Sequence, residues 1–313
     1  MTVRASVVIP NWNGARLLPT CLDSLRAQTE PSFETIVVDN ASEDDSVALV
    51  RRDYPEVRLI ALDRNRGFTG GVNAGIMAAQ GEVVALLNTD VEAHPKWLRA
   101  LLAAFEVDPQ VGMVASRIML FDRRDAFHSA GDQYGRDGIP RNRGVWEQDR
   151  GQFSQRAYVF GPCGGAAAYR KSLLLDAGLF DERLFMYLED VDLAWRAQLL
   201  GYRCLYEPQA VVYHRLSASG GGTLSSFFTG RNTVAVVVKD LPGPLLRRHW
   251  RCIVRAQGRV AGDALRAWRG AAARARLRGL LAAIPFSLRL LSARRLVQRR
   301  RRVPLEYLES LLV

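Results

Sequence analysis

Lysine is almost absent from this 313-residue chain: 43 residues are basic and only three of them, Lys96, Lys171 and Lys239, are not Arg. Cysteine is scarce as well. Cys21, Cys163, Cys204 and Cys252 are scattered without C-x-x-C spacing, which argues against a disulfide framework or a zinc site and for reduced thiols in a cytosolic protein. No apolar run reaches the roughly 18–20 residues of a membrane-spanning helix; the best candidate, residues 279–291, is interrupted by Pro285 and Arg289. No basic segment and apolar stretch precede Ser6-Val7-Val8-Ile9-Pro10, so a secretory leader is not expected and the chain is expected in the cytoplasm. No G-x-G-x-x-G follows Pro10, which excludes a nicotinamide dehydrogenase of the usual kind; Gly67-Phe68-Thr69-Gly70-Gly71 stands in the wrong place for one.

What is present is an ordinary globular composition, 48% hydrophobic and 24% charged, with length for one large domain and an appendage. The formal charge of +11 is uneven. Residues 1–244 carry a net −3, residues 245–302 hold 17 Arg against the single acid Asp263 for a net +16, and Glu306 and Glu309 make the tail −2. The basicity belongs to one segment.

Val- and Ile-rich runs alternate with helical patterns through the first 120 residues, the signature of βαβ units around a parallel sheet. Strands are expected at residues 6–10, 35–39, 58–62, 82–87 and 112–116. Leu17, Leu18, Cys21, Leu22 and Leu25 form a buried helical stripe, and further helices are expected near residues 45–52, 71–79 and 95–105. Periodicity fades over residues 122–156, which read as a mobile excursion over the site. Order resumes at Tyr158-Val159-Phe160 and a turn containing Gly161, Gly164 and Gly165. Helices follow near residues 171–177 and over residues 189–200, then a strand at Val211-Val212-Tyr213 and a breaker at Gly220-Gly221-Gly222. No internal repeat is found.

In an open parallel sheet, ligands sit beyond the carboxyl ends of the strands. There the chain places Pro10-Asn11-Trp12-Asn13-Gly14, Asp39-Asn40-Ala41-Ser42, Asn65-Arg66-Gly67-Phe68 and Asn88-Thr89-Asp90. Asp39 can accept hydrogen bonds from a base or ribose, and Asn11, Asn13 and Asn65 offer amides; the competing reading is a set of turns and helix caps. Asp90 lies too far from the helix near Pro95 to cap it, and a carboxylate at a strand end can hold a divalent cation against a diphosphate. Asn88 and Asp90 are spaced to point the same way on a strand. On the helix that starts at Glu189, Asp192 faces Glu189 and Arg196 and leaves Asp190 pointing elsewhere. Crowding with Glu189 and partial burial raise a carboxylate's pKa toward that of a general base, although acids in a first helical turn are also routine. His214, after an apolar strand, is a candidate neutral-imidazole metal ligand; His94, His128 and His249 have no comparable setting.

Read in order with Gly161, Gly164-Gly165 and Glu189-Asp190-Val191-Asp192-Leu193-Ala194-Trp195-Arg196, these segments resemble the inverting GT-A nucleotide-sugar glycosyltransferases of family 2, especially the bacterial rhamnosyltransferase-like branch. The resemblance covers most of residues 5–240. It implies an α/β fold of GT-A type, a Rossmann-like, mostly parallel sheet with helices on both faces, over residues 1–244, followed by a basic helical region over residues 245–313. It implies that Pro10, Asn11, Asn13, Asp39, Asn65, Asn88 and Asp90 bind the donor, that Asp90 and His214 hold Mg²⁺ or Mn²⁺, that Asp190 is the base, and that Glu189, Trp195 and Arg196 contact or support the acceptor. The implied reaction is a single inverting displacement at the anomeric carbon, moving a hexose or deoxyhexose, rhamnose in particular, from a dTDP- or UDP-linked donor. The implied acceptor is a polyprenyl-diphosphate-linked saccharide of cell-envelope polysaccharide synthesis. Two departures stand out: Asn88 replaces an acid often found in the metal motif, and the Gln-x-x-Arg-Trp of processive synthases is missing, which favours one sugar per encounter. A sugar nucleotidyltransferase shares the architecture, but its glycine-rich basic loop after the first strand is missing.

The Arg-rich segment has apolar stripes of its own: Trp250, Ile253, Val254, Leu265 and Trp268, then Leu280, Leu281, Ile284, Leu288 and Leu291. An amphipathic cationic helix can lie on an anionic membrane surface, so residues 245–302 are expected to make the protein peripheral on the inner face of the membrane. The alternative is a helical pair packed on the catalytic domain with a solvated Arg face. No nucleic-acid module accompanies Arg299 to Arg302, and no nucleic-acid partner is expected. A non-catalytic membrane adaptor on the same fold is the rival from a different class.

Overall fold

The computed structural model describes residues 3–216 and 222–313; Gly220 and Gly221 of the expected breaker lie outside the described residues. The first half alternates as expected: β1 (Ala5–Asn11), α1 (Leu18–Arg26), β2 (Phe33–Asp39), α2 (Ser46–Asp53), β3 (Arg58–Ala61), α3 (Gly67–Ala78), β4 (Val83–Leu87), β5 (Val91–Ala93), α4 (Trp97–Ala104) and β6 (Val111–Leu120). Then come β7 (Phe127–Ser129), β8 (Asp132–Tyr134), β9 (Pro140–Asn142), β10 (Ala157–Val159), β11 (Ala166–Arg170), α5 (Lys171–Ala177), α6 (Glu189–Leu200) and β12 (Arg203–His214). Five helices close the chain: α7 (Gly222–Asp240), α8 (Gly243–Arg266), α9 (Ala271–Arg289), α10 (Leu291–Arg299) and α11 (Leu305–Ser310).

The main sheet runs β10-β12-β6-β11-β4-β1-β2-β3, with β5 added to β12 and β7 to β6. β3, β2, β1 and β4 are parallel, as are β6 and β12, and β11 is antiparallel between β4 and β6. Strand order reverses between β1 and β4, where such sheets open a ligand crevice. The alternation of β1 explains the layers. Val8 packs with Val38, Val72 and Ile76 under α3, whereas Val7 and Ile9 pack with Leu18, Cys21 and Leu22 of α1 on the opposite face. Burying each such side chain contributes roughly 1.5–3 kcal/mol. The α3 helix lies unusually close to the sheet because Gly75 has no side chain: a Cβ there would stand 2.3 Å from Val8 Cγ1.

Residues 122–156 depart from the expected mobile excursion. β7 joins the sheet, β8 and β9 pair with each other, and Phe127 meets Phe153 edge to face while Tyr134 packs on Phe160 and Trp195. Strands of three residues are too short to leave a period-two signal, and the aromatics Phe127, Tyr134 and Phe153 anchor this segment instead.

The C-terminal helices are packed on the α/β body, and they also leave an apolar row uncovered. Leu245, Ile253, Leu308 and Leu312 share a core with Tyr134 and Trp195, and α9 crosses α7 so tightly that a Cβ on Gly279 would stand 2.2 Å from the Phe227 carbonyl oxygen. Trp268, Leu281, Ile284 and Leu288 remain 58%, 69%, 65% and 65% exposed. Among the described residues, no helix is long and apolar enough to cross a membrane.

Candidate active site

The parallel strands deliver their loops to one edge, with Asn11 of β1 beside Asp39 of β2 and Asp39 beside Ala61 of β3. Asp39 is buried there. One of its carboxylate oxygens accepts from Asn11 Nδ2 at 2.8 Å and the other from the Ser42 backbone N–H at 3.0 Å. Ser42 Oγ takes the Asn13 N–H at 2.9 Å, and the Asn13 side-chain oxygen takes the Glu43 N–H at 2.8 Å. The loops after β1 and β2 therefore form a single rim. Asn40 extends it: its amide donates to the Gly67 carbonyl and accepts from the Arg66 N–H, both at 2.8 Å, and Asn65 Oδ1 accepts from the Gly67 N–H at 2.8 Å. Pro10 lies partly buried below. A carboxylate offers about four acceptor positions, so Asp39 holds the rim and keeps capacity for a ligand's donors.

β4 ends at Leu87, and Asn88 to Asp90 form a turn closed by the Val91 N–H on the Asn88 carbonyl at 3.2 Å. Strand alternation therefore does not aim Asn88 and Asp90; the turn and the neighbouring strands do. β12 runs to His214 beside Val91, and His214 Nε2 stands 3.2 Å from Asp90 Oδ1. On its other side His214 Nδ1 lies 2.9 Å from His128 Nδ1. Burial, with His214 alongside, pushes the His128 imidazole down to about 3, so His128 is neutral at physiological pH. With one proton between the two Nδ1 atoms, His214 Nε2 can either donate to Asp90 or present a lone pair beside it. Asp90 and His214 form an open half-site of one carboxylate and one imidazole. That set fits a divalent cation whose remaining positions are filled by diphosphate oxygens and water, the usual way Mg²⁺ is bound. Among the described residues, no group of three or more acidic, His or Cys side chains forms a closed cage.

The turn after β10 joins the two halves of the site. Gly164 donates its N–H to Asp190 Oδ2 at 2.8 Å, while Gly165 backs onto Asn88 and His214: a Cβ there would be 3.7 Å from Asn88 Nδ2 and 3.9 Å from His214 Cε1. Asp190 is partly exposed and sits in the first turn of α6, where the helix dipole favours its anion. Burial of its carboxyl outweighs the hydrogen bonds from the Gly164 and Val191 N–H groups and raises its pKa. Glu189 is raised further by burial and by Asp190, and Asp132 of β8 by burial and by Asp190 in turn. The three carboxyls titrate as a cluster.

Residues 6–177 match glycosyl transferase family 2. The chain is 31% identical over 248 residues to the N-acetylglucosaminyl-diphospho-decaprenol L-rhamnosyltransferase of Mycobacterium tuberculosis, covering 71% of this chain and 79% of that protein. The chain belongs to glycosyl transferase family 2. It is also 30% identical over 280 residues to the pre-mycofactocin glycosyltransferase of the same organism, spanning 84% of this chain and about half, 51%, of that protein. Among solved structures, a mannosyltransferase from Pyrobaculum calidifontis in complex with GDP-Man and Mn²⁺ shares the GT-A fold at a TM-score of 0.56 and 20% identity, over 98% of this chain and 85% of that one. Family membership supports glycosyl transfer over nucleotidyl transfer.

In this glycosyltransferase, Trp195 and Arg196 lie behind the site. Trp195 is wholly buried against Tyr134 and Phe160, and Arg196 pairs with Asp192 at 2.7 Å and with the Ala177 carbonyl at 2.6 Å. Both side chains are buried and hold α6. Lys239 of α7 completes that anchor by bonding Asp192 and Asp181. The structure corrects one expectation: His128, set aside in the sequence as lacking a setting like that of His214, lies against it at 2.9 Å. Asp132, within the segment expected to be a mobile excursion, and Asn232 carried no signal in the sequence. Asn232 borders the segment before α6, where Phe185, Tyr187 and Leu188 adopt φ of 67°, 63° and 64°, at a cost on the order of 1–3 kcal/mol per residue.

Proposed function

We propose that this enzyme transfers a hexose or deoxyhexose, with rhamnose the first candidate, from a dTDP- or UDP-linked donor to a hydroxyl of a lipid-linked saccharide, inverting the anomeric configuration. Asp190 removes the acceptor hydroxyl proton as that oxygen attacks the anomeric carbon, and the bond from the anomeric carbon to the nucleoside diphosphate breaks on the opposite side. Asp39, Asn11, Asn13, Asn65 and Pro10 shape the nucleoside rim, and Asn88, Asp90 and His214 face the diphosphate. A divalent cation held by Asp90 and His214, Mg²⁺ or Mn²⁺, would neutralise charge on the leaving group when bound. Proximity and orientation supply most of the rate. The observation that carries this reading is the Gly164-Gly165 turn, which sets Asp190 on one side and Asn88 with His214 on the other.

The catalytic unit comprises residues 1–244, and residues 245–313 are an Arg-rich helical region seated on it. Its exposed Trp268, Leu281, Ile284 and Leu288, beside 17 Arg, support contact with the anionic inner face of a membrane. That placement would bring the site to a polyprenyl-diphosphate acceptor. The test is a donor screen that follows nucleoside diphosphate release with dTDP- and UDP-sugars side by side, run on wild type, Asp190→Asn and Asp90→Ala. Asp190→Asn should lose transfer by a factor of about 100 or more while keeping nucleotide affinity, and Asp90→Ala should lose the metal dependence of donor binding. Transfer at the wild-type rate in Asp190→Asn removes the base assignment.

A further inference from the structure

We infer that Asn232 is a positioning residue for Asp190, holding the turn that aims the base; the inference rests on the reading of Asp190 as the base. Residues 185–188 lead directly into Glu189 and Asp190, and three of the four, Phe185, Tyr187 and Leu188, are non-glycine residues with φ between 63° and 67°. L side chains avoid that region, and three such residues within four persist only where their surroundings over-determine them. One buried amide holds the α7 side of the turn. Asn232 Nδ2 donates to the carbonyls of Leu184 at 3.1 Å, Met186 at 2.9 Å and Tyr187 at 2.7 Å, and Asn232 Oδ1 accepts from Arg231 Nε at 2.9 Å. Arg231 adds bonds to the carbonyls of Leu184 at 2.8 Å and Arg183 at 3.2 Å.

The opposite side of the turn is gripped by the donor-facing loop. The Phe185 carbonyl accepts from both the N–H and the Oγ1 of Thr69, each at 3.2 Å, and a Cβ on Gly67 would stand 2.5 Å from that same oxygen. The Phe185 ring stacks on Phe228, one turn before Asn232 on α7. Leu188, the residue just before α6, is thus set by α7 from one side while the loop carrying Asn65 and Gly67 presses from the other. Asn232 is fully buried and presents no surface to a ligand. Its effect on the reaction passes through the backbone of residues 184–188 into the first turn of α6. If the amide is lost, the turn relaxes toward right-handed φ values and the N-terminus of α6 moves with Asp190. Displacements near 1 Å at a reacting group cost about 100-fold.

The test uses the full chain and two variants. Asn232→Asp replaces the donating NH₂ with a carboxylate oxygen facing three carbonyls, and Asn232→Ser keeps one donor and serves if the first does not fold. Amide hydrogen exchange without ligand should accelerate about tenfold or more in the peptide over residues 184–193 of Asn232→Ser, with the β1 to β4 peptides unchanged. With the sugar nucleotide accepted in the dTDP-rhamnose and UDP-GlcNAc arms of the donor screen, kcat should fall about 10-fold in Asn232→Ser and about 100-fold in Asn232→Asp, with donor KM within about threefold. The decisive arm is the double variant. In an Asp190→Asn background Asn232→Ser should lower kcat no further, because a residue acting through Asp190 has nothing left to position. Unchanged exchange over residues 184–193, or a loss that adds fully in the double variant, overturns the role of Asn232 and leaves the base assignment standing. A wild-type rate in Asp190→Asn alone overturns both.

Discussion

Adjacent glycines at the centre of the site answer the same substitution differently, and tenths of an ångström decide how. A Cβ on Gly164 would lie 3.1 Å from Asp190 Oδ2 and 3.3 Å from Asp190 Cβ, whereas a Cβ on Gly165 finds Asn88 Nδ2 at 3.7 Å and His214 Cε1 at 3.9 Å. Optimal contact between carbon atoms is about 3.5–4.0 Å, so Gly165→Ala fits without movement and Gly164→Ala does not. Neither glycine has a positive φ, so backbone strain does not enter. In Gly164→Ala, Asp190 must retreat by roughly 0.3–0.5 Å while the same residue's N–H continues to bond its carboxylate. On the scale of about 100-fold per ångström of misplacement, kcat falls roughly 4- to 10-fold, and overpacking lowers stability by about 1–3 kcal/mol. Nucleoside diphosphate affinity should stay unchanged, since Asp39 and its rim are not touched. Gly165→Ala instead adds a methyl group beside Asn88 and His214 and should raise donor KM with little change in kcat. Initial rates of nucleoside diphosphate release, with titration calorimetry for the nucleotide, separate the two outcomes. Equal effects on kcat from both variants, or a wild-type kcat in Gly164→Ala, would refute the geometry argued here.

Burial raises Asp190, Glu189 and Asp132 together, and Asp190, as the proposed base, must be ionised. Activity should therefore be lost as pH falls through the raised value, on an acid limb above the ordinary carboxylate range near 4; a kcat/KM profile flat down to pH 4 contradicts this. In the same window the folded state gains stability, because the unfolded carboxyls still hold their charge while the folded ones take up protons. Burial alone would raise Asp192, but Arg196 and Lys239 hold it below its usual range. Lys239→Met breaks that buried cluster and should cost about 3–5 kcal/mol, read by chemical denaturation. The deficit should shrink as pH falls through the folded pKa of Asp192, where the wild-type pairing is lost as well; a loss under about 1 kcal/mol would refute it. For the exposed apolar row proposed to meet a membrane, Ile284→Glu with Leu288→Glu should abolish flotation with anionic vesicles and leave transfer to a soluble acceptor intact. These point changes are preferable to truncation at residue 244, which would strip Leu245, Ile253, Leu308 and Leu312 from the shared core.

The elements that were legible in advance are those whose local pattern repeats. β1 to β4 and the stripe of α1 announced themselves through runs of Val, Ile and Leu; Asp39 and Asp90 were picked out because they stand at the ends of such strands, and Asp190 because it opens the helix that starts at Glu189. β11 was not legible: Ala166, Ala167 and Ala168 favour helix by propensity, yet they form a strand between β4 and β6 because both neighbours supply a hydrogen-bonding edge and both faces are already filled. β7, β8 and β9 failed for a different reason, being three residues each, and with them went His128 and Asp132.

By itself the amino-acid order determined the α/β class, the sheet edge that collects the polar strand-end loops, the uneven charge and the family, since each depends on short-range periodicity or on motifs kept in sequence. Tertiary structure decided which side chains meet: His214 with Asp90 across 124 positions, Asp132 with Asp190 across 58, and Asn232 with the strained turn before α6. Such meetings cost loop-closure entropy that no local pattern records, and they hold only because the packed core on both faces of the sheet fixes the ends of the strands.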